Sequence, residues 1–309
     1  MKLPSLFNPS NDMALAANLR QYSPPKRIQQ MEADLASLAD LWQEGPWGWS
    51  LATKRRYRQM GVSLEALPTD EWLAEVRRLS SRQFACDYLH HLLRELDDDR
   101  LLGREMTYHT DLPMPSAEDR IYKSLWSSSG RGVFTSTHLT EEQIRTRLQG
   151  FLRTQGGDVS DRFYADKTLD CAMEFWVHPD HRVEFLGYSV FHTEANGTYA
   201  YNLVDSQEHL RSLILVDDDL LTRLIDYHKT HLGQTAYHGP VGIDMLLAVN
   251  GKCLHPVIEI NFRMNMGILA LLLYKKYGSN ATVQLTPPRT SGFSAHLADG
   301  KLQIDFCQR

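Results

Sequence analysis

The sequence predicts an α+β fold, and three observations carry the prediction. From Gly239 to Gly267, two short apolar runs, IDMLLAV and LHPVIEI, flank a turn centred on Asn250-Gly251, the pattern of a β-hairpin. Residues 121 to 134, IYKSLWSSSGRGVF, read as an apolar strand running into a Ser/Gly-rich loop. Between the two, a helix starts at Thr140-Glu141-Glu142 and sets Ile144, Leu148, Phe151 and Leu152 on one side.

The elements follow in order along the chain. Residues 1 to 80 predict a small α/β N-terminal domain: a short strand, Leu3 to Phe7, a polar turn, and a helix from Asp12. Pro24-Pro25 punctuates a second helix, Lys26 to Leu41. Gly45-Pro46-Trp47-Gly48-Trp49 is a turn with aromatic bulk, and Trp42, Trp47 and Trp49 read as a hydrophobic patch. Residues 81 to 309 form the larger body, opening with a helix, Arg82 to Leu96, and a connecting strand near Met106 to His109. Residues 116 to 180 are the expected loop-bearing subdomain, and 181 to 309 the subdomain with the hairpin. The latter begins with strands VEFLGYSVFHT and TYAYNLV, followed by a helix near Leu220 to Leu232. After the hairpin come a helix over 267 to 277 and a terminal hairpin, FSAHLADGKLQIDF, turning at Asp299-Gly300.

The first hairpin carries chemistry. Pairing about its turn sets Asp244 opposite Val257, and Val257, Glu259 and Asn261 alternate along one strand on that same face. Two carboxylates and an amide oxygen then converge among Val, Ile and Leu. Burying them is costly unless a cation sits between them, and hard oxygen ligands suit magnesium. Magnesium in such a site usually also holds a phosphate, which Arg263, next on the alternation, would reach. Pro256 lacks an N–H and needs a non-donating position or a bulge. A solvated hairpin with acidic decoration is the competing reading, but Asp244 and Glu259 both lie inside apolar runs.

In the loop Ser127-Ser128-Ser129-Gly130-Arg131-Gly132, glycines let backbone N–H groups turn toward an anion and serines add hydroxyl donors. Lys123 and Arg131 add positive charge. A flexible linker is the bland alternative. The chain has no GxxxxGK[ST], and the loop lacks the third glycine of a dinucleotide fingerprint.

A lysine strand with a Ser/Gly loop, followed over a hundred residues later by Asp…Glu-x-Asn-x-Arg, resembles the ATP-grasp superfamily across roughly residues 80 to 275. The resemblance implies two α+β subdomains clasping ATP with two magnesium ions. It implies Lys123 as the phosphate lysine, Ser127 to Gly132 as the loop over the phosphates, and Asp244, Glu259 and Asn261 as metal ligands. Lys123, Arg131 and Arg263 would stabilise the migrating phosphoryl group. The family's earlier ATP-binding lysine has no counterpart, since none lies between Lys54 and Lys123; Arg82 and Arg104 are the candidate replacements. The adenine hinge falls in residues 159 to 177, with backbone near Arg162 and Phe163 at the adenine edge and Asp161 or Asp166 near the ribose. The implied chemistry is activation of a carboxylate as an acyl phosphate for attack by an amine or thiol. A kinase acting on a hydroxyl and a non-catalytic nucleotide-binding module are the alternatives.

Composition agrees with a globular enzyme: 309 residues, 42% hydrophobic and 23% charged. A net charge of −5 makes no electrostatic case for nucleic acid or an anionic membrane. Cys86, Cys171, Cys253 and Cys307 are scattered, as for buried thiols in a reducing compartment. The N-terminal stretch lacks a long apolar core, so a cytoplasmic location is expected. His178-Pro-Asp-His181 reads as a turn, and His90-His91 as helical neighbours pointing different ways, so neither is expected to share an ion. The Asp97-Asp98-Asp99 and Asp217-Asp218-Asp219 runs read as solvated loops or helix starts. Glu174 and Asn202 either contact ligand or cap strands, and Met264 to Gly267 opens a helix whose N–H groups suit an anionic substrate.

Overall fold

A serine or threonine side chain accepts a backbone N–H at the start of several N-terminal helices, which is why they begin where they do. The computed structural model describes residues 2–42, 44–113, 116, 118–127, 132–194, 199–286 and 291–307. The chain enters as α1 (Asn11–Ala17), α2 (Lys26–Asp34), a 3-10 helix (Ala36–Leu41), α3 (Leu51–Gln59), α4 (Asp70–Leu79) and α5 (Arg82–Leu96). Ser50, Thr69 and Ser81 cap α3, α4 and α5.

Among the described residues of 1 to 80, the expected α/β character is not found. The strand over Leu3 to Phe7 reduces to one parallel bridge, Leu6 to Pro46. The Leu6 amide donates to the Gly45 carbonyl at 3.0 Å and the Trp47 amide to the Leu6 carbonyl at 2.7 Å. Pro46, between them, has no N–H with which to extend a ladder. The helix expected from Lys26 to Leu41 breaks at Leu35. Asp34 is pinned there, its Oδ2 accepting the Phe293 amide at 3.0 Å, and Leu35, Leu38 and Ala39 turn into a core shared with the C-terminal hairpin.

A four-stranded antiparallel sheet follows. It contains β1 (Thr107–His109), β2 (Arg120–Ser124), β3 (Val133–Thr135) and, after α6 (Glu141–Gln155), β4 (Asp158–Arg162), in the order β1-β4-β2-β3. Thr140 and Gln143 close a capping box at the start of α6. Phe151 of α6 meets Phe134 of β3, and Phe134 stacks on Tyr122 of β2, so α6 covers one face of this sheet.

The remaining elements are β5 (Leu169–Val177), β6 (Val183–Thr193), β7 (Tyr199–Leu203), α7 (Gln207–Leu213), α8 (Asp218–Leu232), β8 (Gly239–Ala248), β9 (Cys253–Asn261), α9 (Met266–Tyr277), β10 (Val283–Gln284), β11 (Gly292–Ala298) and β12 (Lys301–Cys307). Their strands form an eight-stranded antiparallel sheet, β10-β11-β12-β7-β6-β5-β8-β9. β5 therefore belongs beside the hairpin and not with the loop-bearing strands, and the boundary expected at 180 moves to the connection between Arg162 and Leu169. Its sequence LDCAMEFWV, nearly continuous in buried residues, fits a strand flanked on both edges.

Alternation divides the large sheet. Met173, Phe175, Val190, Ile243, Met245 and Ile260 face a core closed by Leu89 and Leu92 of α5 and Leu220 and Leu224 of α8. Asp170, Glu174, Ser189, Asp244, Glu259 and Asn261 face the other way, into a cleft. The C-terminal hairpin turns at Asp299-Gly300, both with positive φ, as a two-residue primed turn requires. All four cysteines are free. Among the described residues no helix is long and apolar enough to cross a membrane.

Candidate active site

The cleft lies between the two sheets and has a volume of about 410 Å³. On the small-sheet side, antiparallel register sets Ile121 opposite Asp161, and Lys123 opposite Val159 and Val133. Residues directly opposite, and two apart on one strand, share a face. Ile121, Lys123, Val133 and Asp161 thus form one wall. Phe7, Pro9, Met31 and Trp47 contribute from the N-terminal part. Trp47 is both core and lining.

The hairpin registers differently from expectation. Ala248 pairs with Cys253 across a four-residue loop, and Leu246 pairs with His255. The register then slips by two, and Asp244 pairs with Glu259 and not with Val257. Pro256, Val257 and Ile258 take up the slip, so Pro256 sits where no ladder N–H is required. Val257 turns into the core, fully buried, while Ile258 lines the cleft. An even slip keeps both acidic residues on one face. The irregularity thereby converts an expected diagonal relationship into a direct cross-strand pair, with Cβ atoms about 5 Å apart. Asn261, opposite Gly242, donates its Nδ2 to Asp244 Oδ2 at 3.1 Å.

This arrangement is electrostatically costly as it stands. Burial, then the charges of Glu259 and Glu174, push the Asp244 carboxyl well above its ordinary pKa. Burial lowers the pKa of Lys123, opposed by the charges of Asp161, Glu259 and Asp244. The donor set of Asp244, Glu259 and the Asn261 amide is all oxygen once the amide presents its carbonyl, and its repulsion would be relieved by a hard divalent cation. These residues therefore fit magnesium.

Of Arg82 and Arg104, the two candidate replacements for the missing lysine, Arg82 is the one that lines the cleft. It is almost fully buried in the cleft and donates to the Ser124 carbonyl at 2.6 Å, Ser127 Oγ at 2.8 Å and Glu259 Oε2 at 2.8 Å. Arg104 is exposed and does not line the cleft. The neck of the Ser/Gly loop is closed by a 2.8 Å bond from the Ser124 amide to the Gly132 carbonyl. Gly132 has φ 65°, and a Cβ there would stand 2.3 Å from Ser124 Oγ. Ser128, Ser129, Gly130 and Arg131 lie outside the described residues.

Asp161, Arg162 and Phe163 all line the cleft, but the Asp161 carboxylate and the backbone amides of Arg162 and Phe163 are engaged. The Arg162 amide donates to Asp161 Oδ1 at 2.7 Å and the Phe163 amide to the Asp119 carbonyl at 3.0 Å. Asp161 pairs with His255 Nε2 at 2.9 Å, both side chains buried. Burial opposes ionisation of Asp161, yet the His255 bond and charge, with Lys123, outweigh it and hold the carboxyl below its ordinary pKa. Asp166 is not in the cleft; its Oδ2 accepts the Val249 amide in the hairpin loop at 2.9 Å.

Arg263 lies beyond the end of β9, so the alternation does not carry to it. It still lines the cleft, held there by Asp12 of α1 through Nε at 2.9 and 3.0 Å and Nη2 at 2.7 Å. Asp12 was not foreseen as a site residue, and no local pattern marks it. The start of α9 differs from expectation as well. Asn265 caps it and donates to Glu174 Oε2 at 2.8 Å, while a Cβ at Gly267 would stand 2.0 Å from Glu174 Oε1. Glu174 itself stands beside the start of α9, bonded to the Asn265 side-chain amide and the Ser189 hydroxyl. Burial raises its pKa to about 7, against the bonds from Asn265 and Ser189.

The two sheets clasping one cleft define an ATP-grasp fold. Among solved structures, the chain is similar to Rhizobium etli pyruvate carboxylase crystallised with acetyl coenzyme-A. The identity is 12% and the TM-score 0.50, covering 66% of this chain and 17% of that one. It also matches N5-carboxyaminoimidazole synthetase from Staphylococcus aureus complexed with ADP, at 11% identity and TM-score 0.43, covering 64% and 52%. D-alanyl-alanine synthetase A from Vibrio cholerae matches at 12% identity and TM-score 0.44, covering 65% and 62%. The chain thus spans about half the length of the carboxyaminoimidazole synthetase and under a fifth of the carboxylase. No protein-family model and no curated protein matches the chain.

Proposed function

We propose that the protein is an ATP- and magnesium-dependent ligase that activates a small-molecule carboxylate as an acyl phosphate for attack by an amine or thiol. The observation that carries the reading is the direct pairing of Asp244 with Glu259 in a bulged hairpin, across the cleft from the buried Lys123. Asp244, Glu259 and Asn261 would hold magnesium. Bound with ATP, magnesium would neutralise charge on the phosphates and on the group in transfer. Lys123 would contact a phosphate from the small sheet, joined by Arg131 and the Ser127 to Gly132 loop. Arg82 would take the part of the missing lysine.

Arg263 would face the migrating phosphoryl group. Its orientation is fixed by Asp12 through Nε and Nη2, leaving further N–H donors of the fork for an anion. Asp161, Arg162 and Phe163, with Tyr164, are the candidate lining for the nucleoside. Catalysis of this kind rests on positioning and on charge complementarity at the transition state, and no general base is required of the chain.

Hydroxylamine added during turnover with ATP, magnesium and pooled metabolites tests the reading. A hydroxamate, formed with ADP, is the expected product. ADP without hydroxamate would identify a kinase acting on a hydroxyl, and ATP binding without ADP release a non-catalytic module.

A further inference from the structure

We propose that His91, Glu95 and His231 form a binding site for a zinc-type divalent ion, on the side of the large sheet away from the cleft. His91 and Glu95 stand one turn apart on α5, and His231 is in the last turn of α8. His231 Nε2 is 3.3 Å from Glu95 Oε2, and His91 Nδ1 is 3.7 Å from the same oxygen. All three ligand atoms lie within 4.8 Å of one another. A tetrahedral ion with bonds near 2.0–2.1 Å needs ligand atoms about 3.3 Å apart, so two of the edges are close to formed.

The surroundings favour the assignment. Tyr227, buried between the helices, lies under both imidazoles: its hydroxyl is 2.8 Å from His91 Nδ1 and its ring centroid 4.1 Å from that of His231. Both ring nitrogens thus stand within 3.7 Å of one carboxylate oxygen before any ion arrives, with His91 Nδ1 held by the tyrosine hydroxyl. The His91 ring nitrogen must exchange the tyrosine hydroxyl for the metal. Two imidazoles and one carboxylate are the donor set of zinc and its neighbours, not of magnesium, which takes oxygen. Three protein ligands leave a fourth position open to water. Such an ion would clip α5 to α8, both of which close the main core. His90 takes no part. The partner of His91 comes from a helix 140 residues further on, which adjacency in sequence cannot reveal.

The test uses the full chain with Zn²⁺ alone, by competition with a chromophoric chelator, and Co²⁺ as an optical probe. Wild-type protein should bind one equivalent at this site and give the intense visible absorption of four-coordinate cobalt. Glu259→Gln, which alters only the cleft, should keep both. His231→Ala and Glu95→Gln should each weaken zinc binding by at least about tenfold, the lower end of what losing even an outer-shell partner costs. Far-ultraviolet circular dichroism of each variant controls for folding. A smaller loss in either variant, or wild-type cobalt that stays six-coordinate, would overturn the proposal.

Discussion

Arg263 and Asp12 form a multiply bonded ion pair that ties the end of β9 to the first helix. Both side chains are nearly enclosed, 14% and 10% exposed. Removing one partner of such a pair strands the other as a buried charge, at a cost of about 3–5 kcal/mol. Asp12→Ala should therefore lower the unfolding free energy by about that amount in urea titrations. Adding Arg263→Met should recover part of the loss, because the stranded charge is then gone. If the double variant is as unstable as the sum of the two singles, the pair is not coupled and this account fails. Turnover should be lost in both variants, since Arg263 is either misoriented or absent.

The charge of Arg263 can be kept while its fork is removed. Arg263→Lys should lower kcat strongly and change ATP affinity much less, because a contact that strengthens as charge migrates is expressed in the transition state. An equal rise in the dissociation constant for ATP would instead mark Arg263 as a ground-state anchor.

Much of this framework was legible in the chain. Both principal hairpins, the helix from Arg82 to Leu96 and the capped start of α6 follow from periodicity and turn chemistry, which act over a few residues. The convergence of Asp244, Glu259 and Asn261 on one face was legible because a two-residue slip preserves side-chain parity. The slip itself was hinted at only by Pro256. What was not legible depends on distant contacts. Nothing near Asp12 announces a partner at Arg263, and nothing near Leu3 to Phe7 reveals that the available partner strand contains a proline. Assignment of β5 to the large sheet rests on pairing with β6 and β8, which a run of buried residues permits without specifying.

Glu259→Gln should abolish ATP turnover. Arg82, whose side chain is 4% exposed, then keeps the Ser124 carbonyl and Ser127 hydroxyl but loses its charged partner. A modest fall in melting temperature with an unchanged circular dichroism spectrum is expected, since two of its three acceptors remain. Turnover at the normal rate would remove Glu259 from the metal site.

Glu174 gives the protein a pH dependence that a variant can isolate. Its folded pKa, about 7, is raised from 4.5 by burial, so the folded state favours the neutral carboxyl. The stability this contributes is fully present below pH 4.5 and is lost as pH rises through about 7. At 1.36 kcal/mol per pKa unit, the swing is on the order of 3 kcal/mol. Glu174→Gln stays neutral throughout, so its stability relative to wild type should climb between pH 5 and 8. Parallel curves for the two proteins over that range would refute the shift.

His255 and Asp161 act in the opposite sense. Asp161 is held ionised beneath Lys123 by a fully buried imidazole, and its folded pKa lies below the ordinary 3.8. A depressed carboxyl contributes stability that is present above its unfolded pKa and lost as pH falls through the folded one. His255→Leu replaces the partner with an apolar side chain and leaves the carboxylate to face burial with only Lys123 opposite. The variant should be less stable at pH 7 by about 3–5 kcal/mol. The deficit should narrow as pH falls below 3.8, where the carboxyl is protonated in the unfolded chain and its charge no longer has to be buried. ATP should also bind more weakly, because Asp161 Oδ1 positions the Arg162 amide at the cleft wall. Urea titrations of both proteins at pH 7 and near pH 3.5 separate charge from packing. A deficit of the same size at both would mean that His255 contributes by filling space, and the electrostatic role given to it here would be wrong.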